Sequence, residues 1–364
     1  MQTLIVGLLT ALIVVMLIVR SRNLHLHVTS DQRWGVQKFH KGRVPRIGGI
    51  GVAAGLTAAL AWSGWRGLVA VEALWLLLAA VPAFAAGLAE DLTKRVGVLA
   101  RLGATMASAA LGAWLVDAQL PRVGVPVVDD WLVWAPASLA LTLVAVAGVA
   151  NAVNIIDGFN GLAAAVCMLM FTAFGYVAWS LGDVLLVQVC LAMIGALAGF
   201  FVWNYPRGLV FLGDGGAYLV GFVLAEVAVL LVVRHPGLSP WFCLLVCAYP
   251  IMETLFSIYR KRWVRGVSPG VPDGLHLHML VYRRLVRWAA GPDASRDMTA
   301  RNAATSPYLW ALASVAIVPA VLFWRSEPLL IASAVLFLVA YLVVYVRVVR
   351  FRAPRWMRKR VGRR

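Results

Sequence analysis

Acidic residues are scarce in this chain. Asp and Glu number 16 among 364 residues, against 33 Lys and Arg, and charged residues of both signs make up only 13%. A soluble domain carries roughly a quarter charged residues, so a soluble globular architecture is excluded. Cysteine is equally sparse. Cys167, Cys190, Cys243 and Cys247 all lie in apolar runs, and none pairs with a histidine at zinc-like spacing. That excludes a zinc site and leaves them as packing residues. No internal repeat is present. No polar stretch is long enough for a separate soluble basic module, which argues against a nucleic-acid partner. The opening run MQTLIVGLLTALIVVMLIVR has neither a basic start nor a small-residue cleavage site, so it reads as a retained first helix rather than a signal peptide.

Apolar sequence is what the chain has in abundance: 62% of residues are hydrophobic and the mean hydropathy is +0.84. About eleven segments approach the length of a bilayer-crossing helix: 3–19, 47–62, 68–88, 102–118, 131–150, 161–181, 184–204, 217–233, 241–259, 308–324 and 329–346. The expected fold is therefore all-α, a polytopic bundle of transmembrane helices. The net charge of +17 is unevenly spread. Lys and Arg crowd the connections after the first, third and ninth segments and the tail RVVRFRAPRWMRKRVGRR, whereas the alternate loops SGWRG, GD, RHPGLSP and RSEP are short or nearly neutral. Lys and Arg collect in cytoplasmic loops, which places the N-terminus outside and the C-terminus inside. Residues 1–346 are expected to form one transmembrane domain, with a basic cytoplasmic tail at 347–364.

Five polar clusters fall at the cytoplasmic ends of these segments, in loops 20–46, 89–101, 151–161, 205–216 and 260–307. Carboxylates at such depths are costly and are usually retained for function. Asp91, Asp157 and Asp214 could supply the one or two carboxylates that Mg²⁺ takes alongside substrate phosphate. Glycines beside them (Gly158, Gly161, Gly213, Gly215, Gly216) let backbone N–H groups come close to phosphate, although in GGIGV (48–52) helix packing is an equal use. Asn151, Asn154 and Asp157 recur every third residue, so on a helix they face one site. His276 and His278 would share a face only on extended chain, and with Arg262 and Arg265 nearby they suit a phosphate-binding loop. The stretch PDGLHLHMLVYRRLVRW could form a short basic amphipathic helix. Glu72, Glu226 and Glu253 lie within spans and are assigned no catalytic role.

Taken together, these motifs resemble the polyprenyl-phosphate N-acetylhexosamine-1-phosphate transferase family, and the match runs from about Lys41 to His278. The residues carrying it are Lys41, Pro45, Gly48 and Gly49; Glu90, Asp91 and Lys94; NAVNIIDGFNGL; FLGDGGA; and DGLHLHM. The run HKGRVP and the H-x-H loop are closer to the UDP-N-acetylglucosamine branch than to the muramoyl-pentapeptide branch. The resemblance implies Mg²⁺-dependent transfer of an N-acetylhexosamine-1-phosphate from a UDP-sugar to undecaprenyl or another polyprenyl phosphate. UMP is released, and a lipid-linked cell-surface glycan such as O-antigen is begun. It implies Asp214 as metal ligand, with Asp157 and Asn154 helping to hold the metal and nucleotide. Asp91 faces the lipid phosphate, and Lys41, Lys94, His276 and His278 contact phosphate or nucleotide. Mn²⁺ is an alternative ion, a homodimer is allowed, and the location is the bacterial inner membrane. The chain departs from the family pattern at Glu90, Asn160, Ala217, Gly274 and Met279. Asn160 stands where the family has an aspartate associated with the nucleotide and keeps only hydrogen-bonding capacity.

Two other readings compete: a secondary transporter and the muramoyl-pentapeptide transferase of peptidoglycan synthesis. Transporter sites lie near the midplane on broken helices, whereas these clusters lie at the rim. The charge pattern makes a direct prediction: a periplasm-active reporter fused after Arg364 should be silent, and strong activity there would invert the topology.

Overall fold

The computed structural model describes residues 1–30, 43–69, 71–268, 274–286 and 297–350. Lys41, part of the basic 260–307 loop and the tail from 351 lie outside the described residues. The described chain is helical throughout, with one isolated bridge between Ser30 and Pro45 as its only β feature. In order, the helices are α1 (Gln2–Arg20), α2 (Arg22–Thr29), α3 (Gly48–Trp65), α4 (Glu72–Thr93), α5 (Val98–Leu115), α6 (Pro126–Leu132), α7 (Ala135–Ile156), α8 (Leu162–Ser180), α9 (Val184–Asn204), α10 (Gly213–Arg234), α11 (Pro240–Val246), α12 (Ala248–Tyr259), α13 (Leu277–Leu280), α14 (Met298–Phe323) and α15 (Glu327–Val349). Wide π-helical turns extend α12 over Arg260–Val264 and α13 over Val281–Val286.

Among the described residues, nine helices are long and apolar enough to cross a membrane, and α11 with α12 forms a tenth candidate bent by 74°. A polytopic helical membrane protein is thus what the chain folds into. The expected count of eleven also needs α3, whose glycines dilute its apolar character but whose 18 residues, about 27 Å of helix, have the length of a short span. The four cysteines are buried and unpaired with one another, as packing residues should be. Of the stretch 272–288, residues 274–286 are described, and they hold the short α13 and its π turn, with Leu277, Met279, Leu280 and Tyr282 buried and Arg283 and Arg284 exposed.

Lipid tails are as apolar as leucine, so helices in a bilayer associate through close packing and small residues. The chain concentrates this on α10, of which 89% of the most apolar stretch is buried inside the protein. A Cβ built on Gly216 would fall 2.7 Å from Gly49 Cα on α3, and one on Gly221 would fall 2.5 Å from Ala150 Cα on α7. One on Gly87 of α4 would meet the Asp214 backbone at 2.6 Å. The GGIGV run is therefore a packing surface, and around it Gly48 and Gly49 donate their N–H groups to Phe211 O and Leu212 O. Within α4, Pro82 interrupts the hydrogen-bond ladder, and the adjacent Ala83 N–H donates to Ser108 Oγ of α5 at 2.9 Å. That repairs a defect that would be expensive in hydrocarbon.

Substituting Gly49→Ala should destabilise the fold by about 1–3 kcal/mol through overpacking. Gly103→Ala on α5, where an added Cβ meets nothing within 4 Å, should not. Thermal unfolding of the two variants in detergent checks the contrast, and equal midpoints would contradict it.

Candidate active site

The site is built on the N-terminus of α10. The first N–H groups of any helix lack intrahelical partners. Here Asp91, at the end of α4 and 1% exposed, accepts the N–H of Asp214 at 3.0 Å and of Gly215 at 2.9 Å. Gly213 makes this approach feasible: its φ of +75° is in the left-handed region, and a Cβ there would strike both Arg46 and Asp91. Asp91, expected to face a lipid phosphate, is instead turned inward, with both carboxylate oxygens occupied by backbone. Lys94 takes a left-handed φ of 58° just after α4 and donates its Nζ to Asp91 O at 2.5 Å. Glu90, the altered motif residue, accepts the Val96 N–H at 2.7 Å and shapes the turn into α5.

The cap on α10 fixes where Asp214 points. Its Oδ1 accepts from Arg46 Nη2 and from Asn154 Nδ2, each at 3.1 Å, and its Oδ2 is paired with Arg101 Nη1. Arg46 Nε also stands 3.7 Å from Asp91 Oδ1. Arg101 lies over the Tyr218 ring, 5.6 Å from its centroid, and its buried Nε–H has no acceptor. The Tyr218 hydroxyl donates to Asn151 Oδ1 at 3.2 Å. Asn151 and Asn154 thus both face α10 from the last turns of α7, as their spacing predicts. Asp157 closes α7 and is half-buried; its N–H donates to Asn154 O, and its carboxylate makes no hydrogen bond or ion pair among the described residues. Desolvation pushes its carboxyl up to about 7, against the pull of Arg46 and with a smaller push from Asp91.

The histidine loop packs on the α7–α8 turn just beyond Asp157. His276 is extended, so its ring stacks parallel on His278, centroids 5.2 Å apart with 4° between planes. His278 is fully buried and packs edge-on against Phe159. Its Nε2 is so near Gly158 that a Cβ there would sit 3.2 Å away. Both its ring nitrogens lack hydrogen-bond partners. Burial drives His278 down to about 4, with Glu253 opposing and His276 adding to the fall. The loop is anchored by Glu253 of α12. Its Oε1 accepts from His276 Nδ1 at 3.1 Å and Leu277 N–H at 2.7 Å, and its Oε2 accepts the Tyr341 hydroxyl of α15 at 3.0 Å.

Not every expected residue reaches the carboxylates. Asn160 is a bracket. Its N–H donates to Asn302 Oδ1, its Nδ2 donates to Pro206 O, and its carbonyl accepts from Ser306 Oγ, joining the α7–α8 turn to α14 and to the loop before α10. Its buried Oδ1 has no partner. Arg262 and Arg265 are exposed on the turn after α12, and no described contact joins Arg262 to the cluster. Lys41 lies outside the described residues. Arg46, Arg101, Tyr218 and Glu253 belong to the site but were passed over in the sequence. The two arginines had been counted only as topological charge, and Glu253 is embedded in an apolar run. For Arg46, position between Pro45 and the glycine pair was the available signal.

The donor set suits a hard divalent cation of the open type, held by one or two carboxylates and completed by substrate oxygens and water. Asp214 and Asp157 are the carboxylates that could hold it. Among the described residues no three His, Cys, Asp or Glu side chains converge as a closed metal site would require. Helix-end carboxylates, two clamping arginines and a stacked histidine pair thus lie toward one end of a bundle of membrane-length helices, and arginines so placed could bind an anionic group. The pattern that describes glycosyl transferase family 4 matches residues 73–232. A curated relative from Escherichia coli O157:H7, an undecaprenyl-phosphate alpha-N-acetylglucosaminyl 1-phosphate transferase, is 32% identical over 259 residues, covering 68% of this chain and 67% of the relative. A protein of the same description from Yersinia pestis is 29% identical over 255 residues, covering 68% of each. The chain belongs to glycosyl transferase family 4.

Removing the loop's anchor should be visible directly. Glu253→Ala strands three donors in a buried site, a loss of about 3–5 kcal/mol for a broken buried pair. Deuterium uptake over 274–286 should rise sharply, and unchanged uptake would show that Glu253 does not hold the loop.

Proposed function

We propose that this chain transfers N-acetylglucosamine 1-phosphate, or a closely related N-acetylhexosamine 1-phosphate, from its UDP-sugar to undecaprenyl phosphate in a bacterial inner membrane. The observation that carries the reading is Asp214, held at the rim by Arg46, Arg101 and Asn154, with Asp157 three residues beyond Asn154 and within the electrostatic reach of Arg46. An oxygen of the lipid phosphate forms a bond to the sugar-bearing phosphorus. The bond from that phosphorus to the bridging oxygen breaks, and UMP leaves with the electron pair. The products are UMP and a lipid-linked sugar diphosphate that starts a surface glycan such as O-antigen.

Both reactants are anionic, and a like-charge pair at 4 Å costs about 4 kcal/mol at an effective dielectric near 20. Asp214 and Asp157 would hold Mg²⁺, whose charge offsets that repulsion. Arg46 and Arg101 exchange Asp214 for phosphate oxygens when substrate arrives, and the unpartnered Arg101 Nε–H gains an acceptor. Asn154 keeps Asp214 oriented throughout. The two open nitrogens of His278 give the loop a place for a phosphate or nucleotide. Asp91 acts by holding α10 in place. The rim position also answers the transporter reading, because these carboxylates sit at helix ends rather than at a midplane break.

Purified protein given UDP-N-acetylglucosamine, undecaprenyl phosphate and Mg²⁺ should release UMP in step with lipid-linked product. Release of UDP would indicate ordinary glycosyl transfer instead. Asp214→Asn is nearly isosteric, so insertion should survive while turnover falls at least about 100-fold, roughly 2.7 kcal/mol of barrier. Near-normal turnover with unchanged Mg²⁺ dependence would remove Asp214 from the metal.

A further inference from the structure

At the end of the bundle opposite the carboxylates, a cavity of about 550 Å³ opens between the α3–α4 connection, the α8–α9 turn and the end of α10. Its polar wall is Glu72, Asp183, Arg234 and His235, and its apolar wall includes Leu68 and Val184. Asp183 organises the polar wall. It caps α9 through the Leu186 N–H at 3.1 Å, and it accepts from Arg234 Nε at 2.6 Å and from His235 Nε2 at 3.0 Å. The guanidinium is thereby fixed in direction but not used up. Only its Nε and Nη2 bond within the protein, and its side chain is 41% exposed. Glu72, in the first turn of α4, lines the same cavity and makes no hydrogen bond or ion pair. The cavity therefore offers one unpaired carboxylate and one pre-oriented guanidinium with donors to spare.

Tryptophans show the depth at which it lies. Trp65, Trp114, Trp134 and Trp179 stand at the α3, α5, α7 and α8 ends on this side, each between 68% and 78% exposed. Exposed tryptophan at helix ends collects at the membrane–water interface. Trp65 is three residues before Leu68, and Trp179 is four before Asp183, so the cavity opens at headgroup level with apolar walls toward the bilayer.

We propose that this cavity is a binding site for the headgroup of a zwitterionic phospholipid carrying a primary ammonium, in the leaflet opposite the catalytic rim. The phosphate meets Arg234, where guanidinium–phosphate hydrogen bonds are charge-assisted. The ammonium donates to Glu72, and Leu68 and Val184 flank the start of the chains. A headgroup with phosphate alone leaves Glu72 facing an anion. A quaternary ammonium brings charge without an N–H donor. The site therefore selects ethanolamine over both glycerol and choline headgroups.

The full chain, delipidated and exposed to equal phosphatidylethanolamine, phosphatidylcholine and phosphatidylglycerol of identical acyl composition, is read by native mass spectrometry. Phosphatidylethanolamine should be retained about fivefold or more over each of the others, a difference near 1 kcal/mol. Glu72→Gln should abolish the preference over phosphatidylglycerol without lowering the unfolding temperature, since the Glu72 side chain makes no hydrogen bond or ion pair among the described residues and the helix backbone is unchanged. Val184→Trp, which fills the cavity and leaves the charges alone, should lose the retained lipid. Equal retention of the three lipids by the unaltered chain overturns the proposal, as does a preference that survives in both variants. UMP release is a separate readout, so failure here leaves the proposed transfer reaction untouched.

Discussion

The carboxylate cluster depends on one side chain meeting two backbone N–H groups. Asp91 caps α10 from a neighbouring helix, and the cap sets the height, direction and start of the most enclosed membrane-length helix among the described residues. A charge this deeply buried is tolerable only if it is hydrogen-bonded and paired. Two N–H donors, the positive end of a helix dipole and Arg46 together meet that condition. Asp214 then emerges from the first turn of α10 already aimed at Arg46, Arg101 and Asn154. The positive φ of Gly213 lets the arrangement close without a Cβ in the way.

The histidine loop is a second, independent piece of preorganisation. Glu253 gathers a histidine ring, a backbone N–H and a tyrosine hydroxyl from three parts of the chain. α15 extends this support, because Tyr345 donates to Leu275 O and accepts from Arg260. The two C-terminal spans therefore reach the site through the loop they brace, although they contribute no residue to the carboxylate cluster.

Much of this was legible in the sequence. Long apolar runs announce spans, and Asn151, Asn154 and Asp157 at every third position announce one face of a helix end. The aspartate inside the GDGG run marks a site because few other uses explain a charge there. Other features were hidden for physical reasons. Arg46 and Arg101 carry the same charge as many orienting arginines, and only three-dimensional contact distinguishes them. The roles of Asp91 and Asn160 depend on which groups their amides and carboxylates meet 100 or more residues away. The glycine pair at 48–49 looks the same whether it serves a phosphate or a neighbouring helix, and here it serves the helix.

The glycine face of α10 also bears on how the protein is made. Its principal packing partners among the described residues are α3, α4, α5, α7, α8 and α9, all of which leave the ribosome before it. Chains build from the N-terminus during synthesis, so the axis of the bundle arrives after the walls around it. Until residues 213–234 are made, Gly49 and Ala150 lack the glycine positions they pack against, and the rim lacks Asp214. One helix thus supplies both the centre of the packing and the carboxylate of the site.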